Sequence, residues 1–287
     1  NREQPHRLGY FSGGGHPSWS YIEAVGDTVF LATSDGLSVL DATDPSNPNE
    51  IGTLEIPWEP SGLFAEGELL YVAEPDSGLR IIDVADPTNP VEIGLWATTW
   101  EARYFEVLDG FAYVADGAGG LRVIDVTNPS MPTELSTLHT AAEASQVSVA
   151  GSYAIIVLSD GDVLLVEVSD PGNPEKVGVF AGEGPAMAAA LSGTTAYISE
   201  GDSDSFPDGR FQVVNLEHPV APVESAFFGY RLTAMDVAVE ESVQYIASGY
   251  GGLFTVDLTV DHLNPYAIHD FLDTPGFALG VALHGDL

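Results

Sequence analysis

The chain of 287 residues contains no cysteine, which excludes disulfide bonds, thiolate metal sites and cysteine nucleophiles. Basic residues are scarce: eight Lys and Arg face 43 Asp and Glu, a formal net charge of −35. A surface this acidic repels nucleic acid and anionic membranes. It also repels itself, and salt screens that repulsion. The charge therefore suggests a saline habitat or a secreted protein that meets divalent cations, and ordinary acidic solubility is the alternative. The sequence has no run of about 18 apolar residues, so we expect no transmembrane helix.

The motifs of common catalytic sites are also missing. The sequence contains no GxSxG, no HExxH and no phosphate-binding Walker loop. It has no GxGxxG in the strand-to-helix context that a dinucleotide site requires. We therefore expect a binding protein rather than an enzyme.

An internal repeat of about 42 residues runs through the sequence. A Gly-Leu pair marks it, at Gly36-Leu37, Gly78-Leu79, Gly120-Leu121 and Gly252-Leu253. The same slot reads Asp162-Val163 in the fourth copy and Gly209-Arg210 in the fifth. In the first four copies the slot is followed by a turn with one proline and by a second proline three residues further on; these turns begin at Asp44, Asp86, Asn128 and Asp170. The repeat predicts one domain over 1–287 with six copies, at about 21–62, 63–104, 105–146, 147–188, 189–235 and 236–279.

Each copy has the pattern of four short strands. Gly, Asp and Pro separate segments that are rich in β-branched and aromatic residues. In the third copy the pattern predicts strands at Tyr104–Leu108, Ala112–Ala115, Leu121–Val126 and Thr133–Leu138. No segment keeps a 3.6-residue apolar period, so helices should be nearly absent. Strands such as 79–84 are apolar on both faces, as stacked sheets require. The sequence therefore predicts an all-β fold, a β-propeller.

The third strands of the copies share a short motif, as in Leu40-Asp41-Ala42, Ile82-Asp83-Val84, Ile124-Asp125-Val126 and Val256-Asp257-Leu258. With the Gly-Leu pair before it and the Asp-Pro-x-x-Pro turn after it, this motif resembles the LVIVD-repeat family of propellers. The likeness covers nearly the whole chain. It implies a propeller fold and a secreted or surface-exposed prokaryotic protein, and it implies no common activity.

The two ends of the chain resemble the two ends of one further copy. Residues 7–20 align with a last strand and its exit loop, and 280–287 align with a first strand. We therefore expect seven blades, with 1–20 and 280–287 as parts of a closing blade. The middle of that blade, about 20 residues by the repeat length, is missing from this sequence. A six-bladed ring is the alternative.

The loops between blades carry a glutamate at a strict step of 42, preceded by tryptophan in two of the three: Trp58-Glu59, Trp100-Glu101 and Ala142-Glu143. In propellers these loops surround the mouth of the central channel. We therefore predict a ligand site at this mouth, formed by aromatic surfaces and carboxylates and suited to a glycan, a protein or peptide, or a cation. The alternative is that the glutamates are only solvated loop residues. Arg103 and Arg231 lie in the same class of loop, where they either join the site or act as counter-charges to the glutamates.

The fifth copy carries an acidic insertion with Asp202, Asp204 and Asp208 at short, irregular spacing. Carboxylate oxygens are ligands that Ca²⁺ prefers, so these residues are the predicted calcium site. A solvated acidic loop is the alternative. A metal site of His16, His139 and His284 is a weaker hypothesis, because scattered histidines are usually surface residues.

The most regular acidic series is Asp41, Asp83, Asp125 and Asp257. An active site needs one constellation, whereas this carboxylate recurs four times. We therefore expect a structural role, in which each carboxylate accepts backbone N–H bonds at the turn that follows it or from the neighbouring blade.

The sequence as a whole favours an exported, non-catalytic binding propeller that is secreted, periplasmic or on the cell surface. One alternative is a propeller enzyme that acts on a saccharide through a carboxylate pair such as Glu59 and Glu101. Another is a structural subunit of a surface assembly, joined through blade edges.

Overall fold

The computed structural model describes residues 20–33, 35–44, 46–55, 60–180, 184–201, 210–216, 223–229, 236–240, 243–247, 253–257 and 268–272. Within these ranges the chain forms 24 β-strands and no helix, which confirms the predicted all-β class. The described residues accordingly include no helix long and apolar enough to cross a membrane. The segments assigned to a closing blade lie outside the described residues, apart from Ser20.

The strands form six sheets of four. Sheet 1 contains β1 (Ser20–Val25), β2 (Thr28–Thr33), β3 (Gly36–Asp41) and β4 (Asn49–Leu54). Sheet 2 contains β5 (Gly62–Glu66), β6 (Leu69–Glu74), β7 (Gly78–Asp83) and β8 (Val91–Ala97). Sheet 3 contains β9 (Tyr104–Leu108), β10 (Phe111–Ala115), β11 (Leu121–Asp125) and β12 (Thr133–Leu138).

Sheet 4 contains β13 (Ala144–Ala150), β14 (Tyr153–Leu158), β15 (Val163–Glu167) and β16 (Glu175–Phe180). Sheet 5 contains β17 (Ala186–Ser192), β18 (Thr195–Glu200), β19 (Arg210–Asn215) and β20 (Val223–Gly229). Sheet 6 contains β21 (Asp236–Glu240), β22 (Val243–Ala247), β23 (Leu253–Asp257) and β24 (Ile268–Leu272).

Each sheet is antiparallel, with its strands in chain order, so each copy of the repeat is one sheet. The four strands predicted for the third copy are confirmed to within one residue at each end. Local turn chemistry explains this agreement. For example, β9 and β10 are joined by Asp109 and Gly110, both with positive φ (52° and 81°), as a tight two-residue hairpin requires.

The sheets stack face to face in chain order. In sheet 2, Leu79 and Ile81 pack with Phe105 of sheet 3, whereas Ile82 on the opposite face packs with Phe30 of sheet 1. The same arrangement continues through sheets 4, 5 and 6. Burial on both faces explains why the third strands carry apolar residues on both sides, as Leu79, Ile81 and Ile82 do in β7. Four-stranded sheets stacked in this way are consistent with the blades of a propeller.

Side chains of one first strand hydrogen bond to the next first strand. The backbone N–H of Val149 donates to Glu106 Oε2 at 2.7 Å, and that of Ala189 donates to Gln146 Oε1 at 2.8 Å. The first strands would otherwise present open edges with unpaired N–H groups. Polar side chains at a step of 43 residues therefore connect neighbouring sheets at their inner edges.

The outer strands contact the next sheet through its proline-containing turn. A Cβ atom at Gly94 would lie 1.9 Å from the carbonyl oxygen of Pro129, and Gly52 has the same relation to Pro87 at 2.2 Å. Ser136 occupies the equivalent position in sheet 3, and its hydroxyl donates to the carbonyl oxygen of Pro171 at 2.6 Å. In sheets 1 to 3 the contact is therefore made by a residue with no side chain or with a small hydrogen-bond donor.

The repeated aspartates bind the turn that follows them, as predicted. The backbone N–H groups of Thr43, Ala85 and Thr127 donate to Asp41, Asp83 and Asp125, each at 2.9 Å. The hydroxyl and the backbone N–H of Thr127 hold the pKa of Asp125 below its usual value. The side chain of Asp257 lies outside the described residues.

Every described outer strand contains a β-bulge where it pairs with the third strand. In sheet 2, Gly94 and Glu92 pair with consecutive residues of β7, which leaves Ile93 as an extra residue. The same shift occurs in the other five sheets. A bulge bends its strand and increases the local twist.

Replacing Gly94 by alanine should destabilise the protein, because the new methyl group would collide with the Pro129 carbonyl. We expect a loss of about 1–3 kcal/mol in the free energy of unfolding, measured by urea denaturation. Gly172→Ala is the control, because a Cβ there would meet only the flexible carboxylate of Asp170 at 3.3 Å. It should change stability by less than about 0.5 kcal/mol. Equal effects of the two changes would contradict the proposed contact.

Asp125→Ala should lower stability at neutral pH, and this loss should shrink in acid. The pKa of Asp125 is lower in the folded chain than the usual 3.8, so its contribution is complete above 3.8 and is lost as the pH falls through the folded value. Thermal unfolding of wild type and variant at neutral pH and at pH values through and below 3.8 measures the difference. Asp76→Ala, at an exposed position of the loop between β6 and β7, is the control for the loss of a surface carboxylate.

Candidate functional site

The predicted mouth residues of sheets 3 and 4 lie at one end of these sheets. Trp100 and Glu101 come shortly before β9, and Glu143 comes directly before β13, which lies beside β9 as the first strand of the next sheet. The backbone N–H of Arg103 donates to the carbonyl of Ala115 at 2.9 Å, so the second strand of sheet 3 ends at the same place. The structure therefore brings Trp100, Glu101, Arg103 and Glu143 together.

Arg103 joins the two glutamates. Its Nη2 lies 2.7 Å from Glu101 Oε2 and 2.6 Å from Glu143 Oε2, and its Nε also donates to Glu101 Oε2 at 2.9 Å. Burial acts to lower the pKa of Arg103, but the hydrogen bonds to both glutamates outweigh it and the pKa is raised. The sequence left two roles for Arg103, as part of the ligand site or as a counter-charge to the glutamates. These distances favour the role of a counter-charge.

Trp100 presents a broad exposed surface next to this ion pair, with 48% of its area accessible. It lies against the loop between β10 and β11. A Cβ atom at Gly119 would stand 2.8 Å from Trp100 Cδ1 and 2.5 Å from Asp116 Oδ2, so this contact requires glycine.

A buried polar network holds the Trp100 loop. The N–H of Trp100 donates to Thr98 Oγ1 at 3.1 Å, and the Thr98 hydroxyl lies 2.8 Å from both carboxylate oxygens of Asp116. Arg122 Nε lies 3.2 Å from Asp116 Oδ2. Asp116 is fully buried, and burial raises its pKa although Thr98 and Arg122 act to lower it.

Sheet 2 contains a related set one repeat earlier. Glu74 is fully buried, with Oε1 2.7 Å from Arg80 Nε, and Arg80 Nη1 lies 2.6 Å from Glu92 Oε2. The step of 42 residues from Glu74 to Asp116 and from Arg80 to Arg122 is visible in the sequence. Residue type alone does not distinguish these buried carboxylates from the many exposed ones, because their burial follows from packing between sheets.

Several predicted site residues lie outside the described residues: Trp58, Glu59, Asp202, Asp204, Asp208, Arg231, His16 and His284. His139 is described and is exposed. In the part of the chain that the structure describes, no three His, Cys, Asp or Glu side chains form a group suited to a metal ion. The calcium site at the insertion therefore stays a prediction.

A shallow cavity of about 190 Å³ lies at the opposite end of sheet 4, between Glu167, Ser169, Asp170, Asn173 and Glu175. Its polar groups are bonded to each other: the Ser169 hydroxyl donates to Glu167 at 3.0 Å, and Asn173 Nδ2 donates to Glu175 at 2.9 Å. The lining groups therefore already have partners without a ligand.

These four-stranded sheets, one for each sequence repeat and stacked in chain order, define an all-β repeat protein of propeller-like architecture. The family model described as "LVIVD repeat" matches residues 20–55, 61–98, 101–140, 141–181 and 233–259, more than half of the sequence. The chain belongs to the LVIVD repeat family, as the resemblance in the third strands indicated.

Solved structures with the same fold have low sequence identity. Raptor of Chaetomium thermophilum has a TM-score of 0.77 and 12% identity, over 98% of this chain and 27% of that one. A protein from Lactobacillus plantarum has a TM-score of 0.75 and 14% identity, over 94% and 89%. A functionally unknown protein from Desulfotomaculum acetoxidans has a TM-score of 0.73 and 11% identity, over 93% and 90%. No curated protein matched the sequence. Likeness at this level extends to the fold alone.

Arg103→Met should weaken the connection between sheets 3 and 4, because Glu101 and Glu143 then repel each other. Both glutamates are half-exposed, so we expect a loss of only about 0–1 kcal/mol, largest at low salt. Urea denaturation at low and high salt measures the effect. Adding Glu101→Gln and Glu143→Gln to the variant removes the repulsion and should abolish the salt dependence of the difference. A loss that is independent of salt would contradict an electrostatic role.

Proposed function

We propose that this protein is a non-catalytic binding propeller, whose ligand contacts Trp100 at the end of the sheets where the first strands begin. The observation that supports the proposal is the exposed indole of Trp100 beside the Glu101–Arg103–Glu143 ion pair, which spans two sheets. The polar network holds the backbone at Trp100, and the indole lies against Gly119, so the ring is a preorganised contact surface in the proposal.

A glycan or a protein segment is the ligand class that this surface suits. An indole offers a large apolar face for a sugar ring or an apolar side chain. The exposed carboxylates of Glu101 and Glu143 offer hydrogen-bond acceptors around it. Glu59 and Trp58 extend the same surface in the proposal, because they occupy the equivalent positions one repeat earlier.

An enzyme that acts on a saccharide is the less favoured function. Glu101 and Glu143 share a single guanidinium, whereas a pair of catalytic carboxylates needs space between them for the scissile bond. Burial raises the pKa of Asp116, but this carboxyl group is fully buried below the Trp100 loop, out of reach of a substrate.

The wider proposal is one domain over 1–287, closed as a ring of seven blades and exported to a secreted, periplasmic or cell-surface location. The high negative charge supports a saline environment, because salt screens the repulsion between the carboxylates. Calcium at Asp202, Asp204 and Asp208 belongs to the same proposal, since extracellular Ca²⁺ would reach those carboxylates. Assembly through blade edges is a further candidate, but the bulge in each outer strand opposes it.

Trp100→Ala should reduce ligand binding about tenfold or more, because an exposed, fixed aromatic side chain is the expected hot spot of such a surface. A panel of glycans and peptides is first screened with the wild-type protein by thermal shift. Dissociation constants of each hit are then compared for wild type and Trp100→Ala by calorimetry.

Met131→Ala is the matched control, because Met131 is even more exposed and lies at the opposite end of the same sheet. It should leave binding unchanged. If Trp100→Ala retains the wild-type affinity for every hit, or Met131→Ala loses it equally, the proposed binding surface is wrong.

A further inference from the structure

The loop between β10 and β11 supports the exposed residues around Trp100. The indole lies over Gly119 of this loop. The Cβ atom of Glu101 lies over Gly117, at 3.3 Å from the position that a Cβ atom there would take. The N–H of Ala144, the first residue of β13, donates to the carbonyl oxygen of Gly117 at 2.9 Å. Sheet 4 is therefore bonded to the loop on which Trp100 and Glu101 lie.

The loop between β14 and β15 extends the same surface into sheet 4. The N–H of Ser159 in this loop donates to the carbonyl oxygen of Glu143 at 2.9 Å. Asp160 follows Ser159 directly, and its side chain is exposed. Adjoining, hydrogen-bonded loops thus carry Trp100, Glu101, Glu143 and Asp160, and these four residues form the Trp100 surface.

The basic side chains at this end of the sheets are already bound to carboxylates. Arg103 bonds Glu101 and Glu143. Arg80 and Arg122 are bound to buried carboxylates of their own sheets. Among the side chains that the structure describes, these three are the only Lys or Arg at this end. An anionic ligand, such as a phosphate or an acidic sugar, would find no available counter-charge among them.

The carboxylates, in contrast, outnumber the positive charge beside them. Glu101 and Glu143 share one guanidinium, so this group keeps one negative charge, and Asp160 adds another. Arg103 bonds only Oε2 of each glutamate. Both glutamate side chains are half-exposed, at 57% and 48%, so their Oε1 atoms are accessible acceptors. Because the whole chain also has a net charge of −35, the potential at the Trp100 surface attracts cations and repels anions.

We infer that the ligand of the Trp100 surface is a protein segment with an arginine side chain, which lies against the indole of Trp100 and directs its guanidinium to the carboxylates of Glu101 and Glu143. This inference rests on the proposed function and narrows its ligand class. The face of an indole attracts a cation, and a guanidinium also stacks on aromatic rings. The apolar stem of arginine covers the ring while its charged head bonds the carboxylates. A neutral glycan gains nothing from the negative charge, which favours the basic segment.

Binding of short capped peptides to the wild-type protein tests this inference. A fluorescein-labelled peptide that alternates glycine and arginine is compared with the same peptide carrying citrulline, a neutral isostere, in place of arginine. Fluorescence polarisation gives both dissociation constants at about 0.15 M salt, where charges further than about 8 Å away are largely screened. We expect the arginine peptide to bind about tenfold more tightly or better.

Variants of Trp100 separate the aromatic ring from general charge attraction, because they leave the net charge unchanged. Trp100→Leu keeps an apolar contact and removes the ring. It should weaken binding of the arginine peptide about two- to fivefold and leave binding of the citrulline peptide unchanged. Trp100→Phe keeps an aromatic face and should restore most of the lost affinity.

A matched pair of charge variants tests the carboxylates. Glu143→Gln should weaken binding of the arginine peptide by up to about fivefold. Glu68→Gln removes the same charge from the hairpin between β5 and β6, at the opposite end of sheet 2, where Glu68 is exposed. It should leave the affinity unchanged.

Equal affinity of the wild type for the two peptides overturns the inference, and this comparison does not depend on the stability of any variant. Equal losses in Glu143→Gln and Glu68→Gln also overturn it, because the attraction would then belong to the acidic protein as a whole. Maltoheptaose serves as the neutral glycan probe. If it binds in a Trp100-dependent way and the arginine peptide does not bind, the inference is wrong and the proposed function stands. If Trp100→Ala retains the wild-type affinity for every probe that binds, the proposed function fails as well.

Discussion

Burial of both faces of sheets 2 to 5 is the interaction on which the rest of the described structure depends. A third strand such as β7 is apolar on both sides, so it is shielded from water only when a neighbouring sheet covers each face. Two contacts hold the sheets in register: first-strand side chains such as Glu106 bond the next first strand, and Gly94 admits the Pro129 carbonyl at the outer strand. These contacts join residues 35–43 positions apart, which explains the near-constant repeat length.

The same stacking determines where polar chemistry occurs. Because consecutive first strands lie side by side, loops from two sheets meet, and Arg103 reaches a carboxylate from each. Deeper in the interface a charge is tolerated only with a partner, as Asp116 has in Arg122 and Thr98. The Trp100 surface is therefore connected to the core, because Asp116, which bonds the Thr98 side chain of the Trp100 loop, is itself buried between two sheets.

Much of the fold was predictable from sequence because its signals are local. Turn residues between segments rich in β-branched and aromatic residues predicted the strands of the third copy, and the recurrence of the aspartate in four copies predicted the structural role of Asp125. The candidate site was only partly predictable. The loop sequence identified Trp100, but the choice between ligand and counter-charge for Arg103 depends on side-chain direction. Asp116 was missed because burial of a carboxylate follows from packing between sheets, which no single repeat records.

The bulged outer strands bear on how this protein behaves at high concentration. A β-strand from another molecule could pair with only two residues of β8, Val91 and Glu92, before the bulge at Ile93, and with only four residues after it. Neither stretch offers the long, flat hydrogen-bonding row on which fibrillar stacking grows. The bulge in each described outer strand therefore opposes edge-to-edge aggregation. Backbone geometry adds in this way to the solubility that the net charge provides.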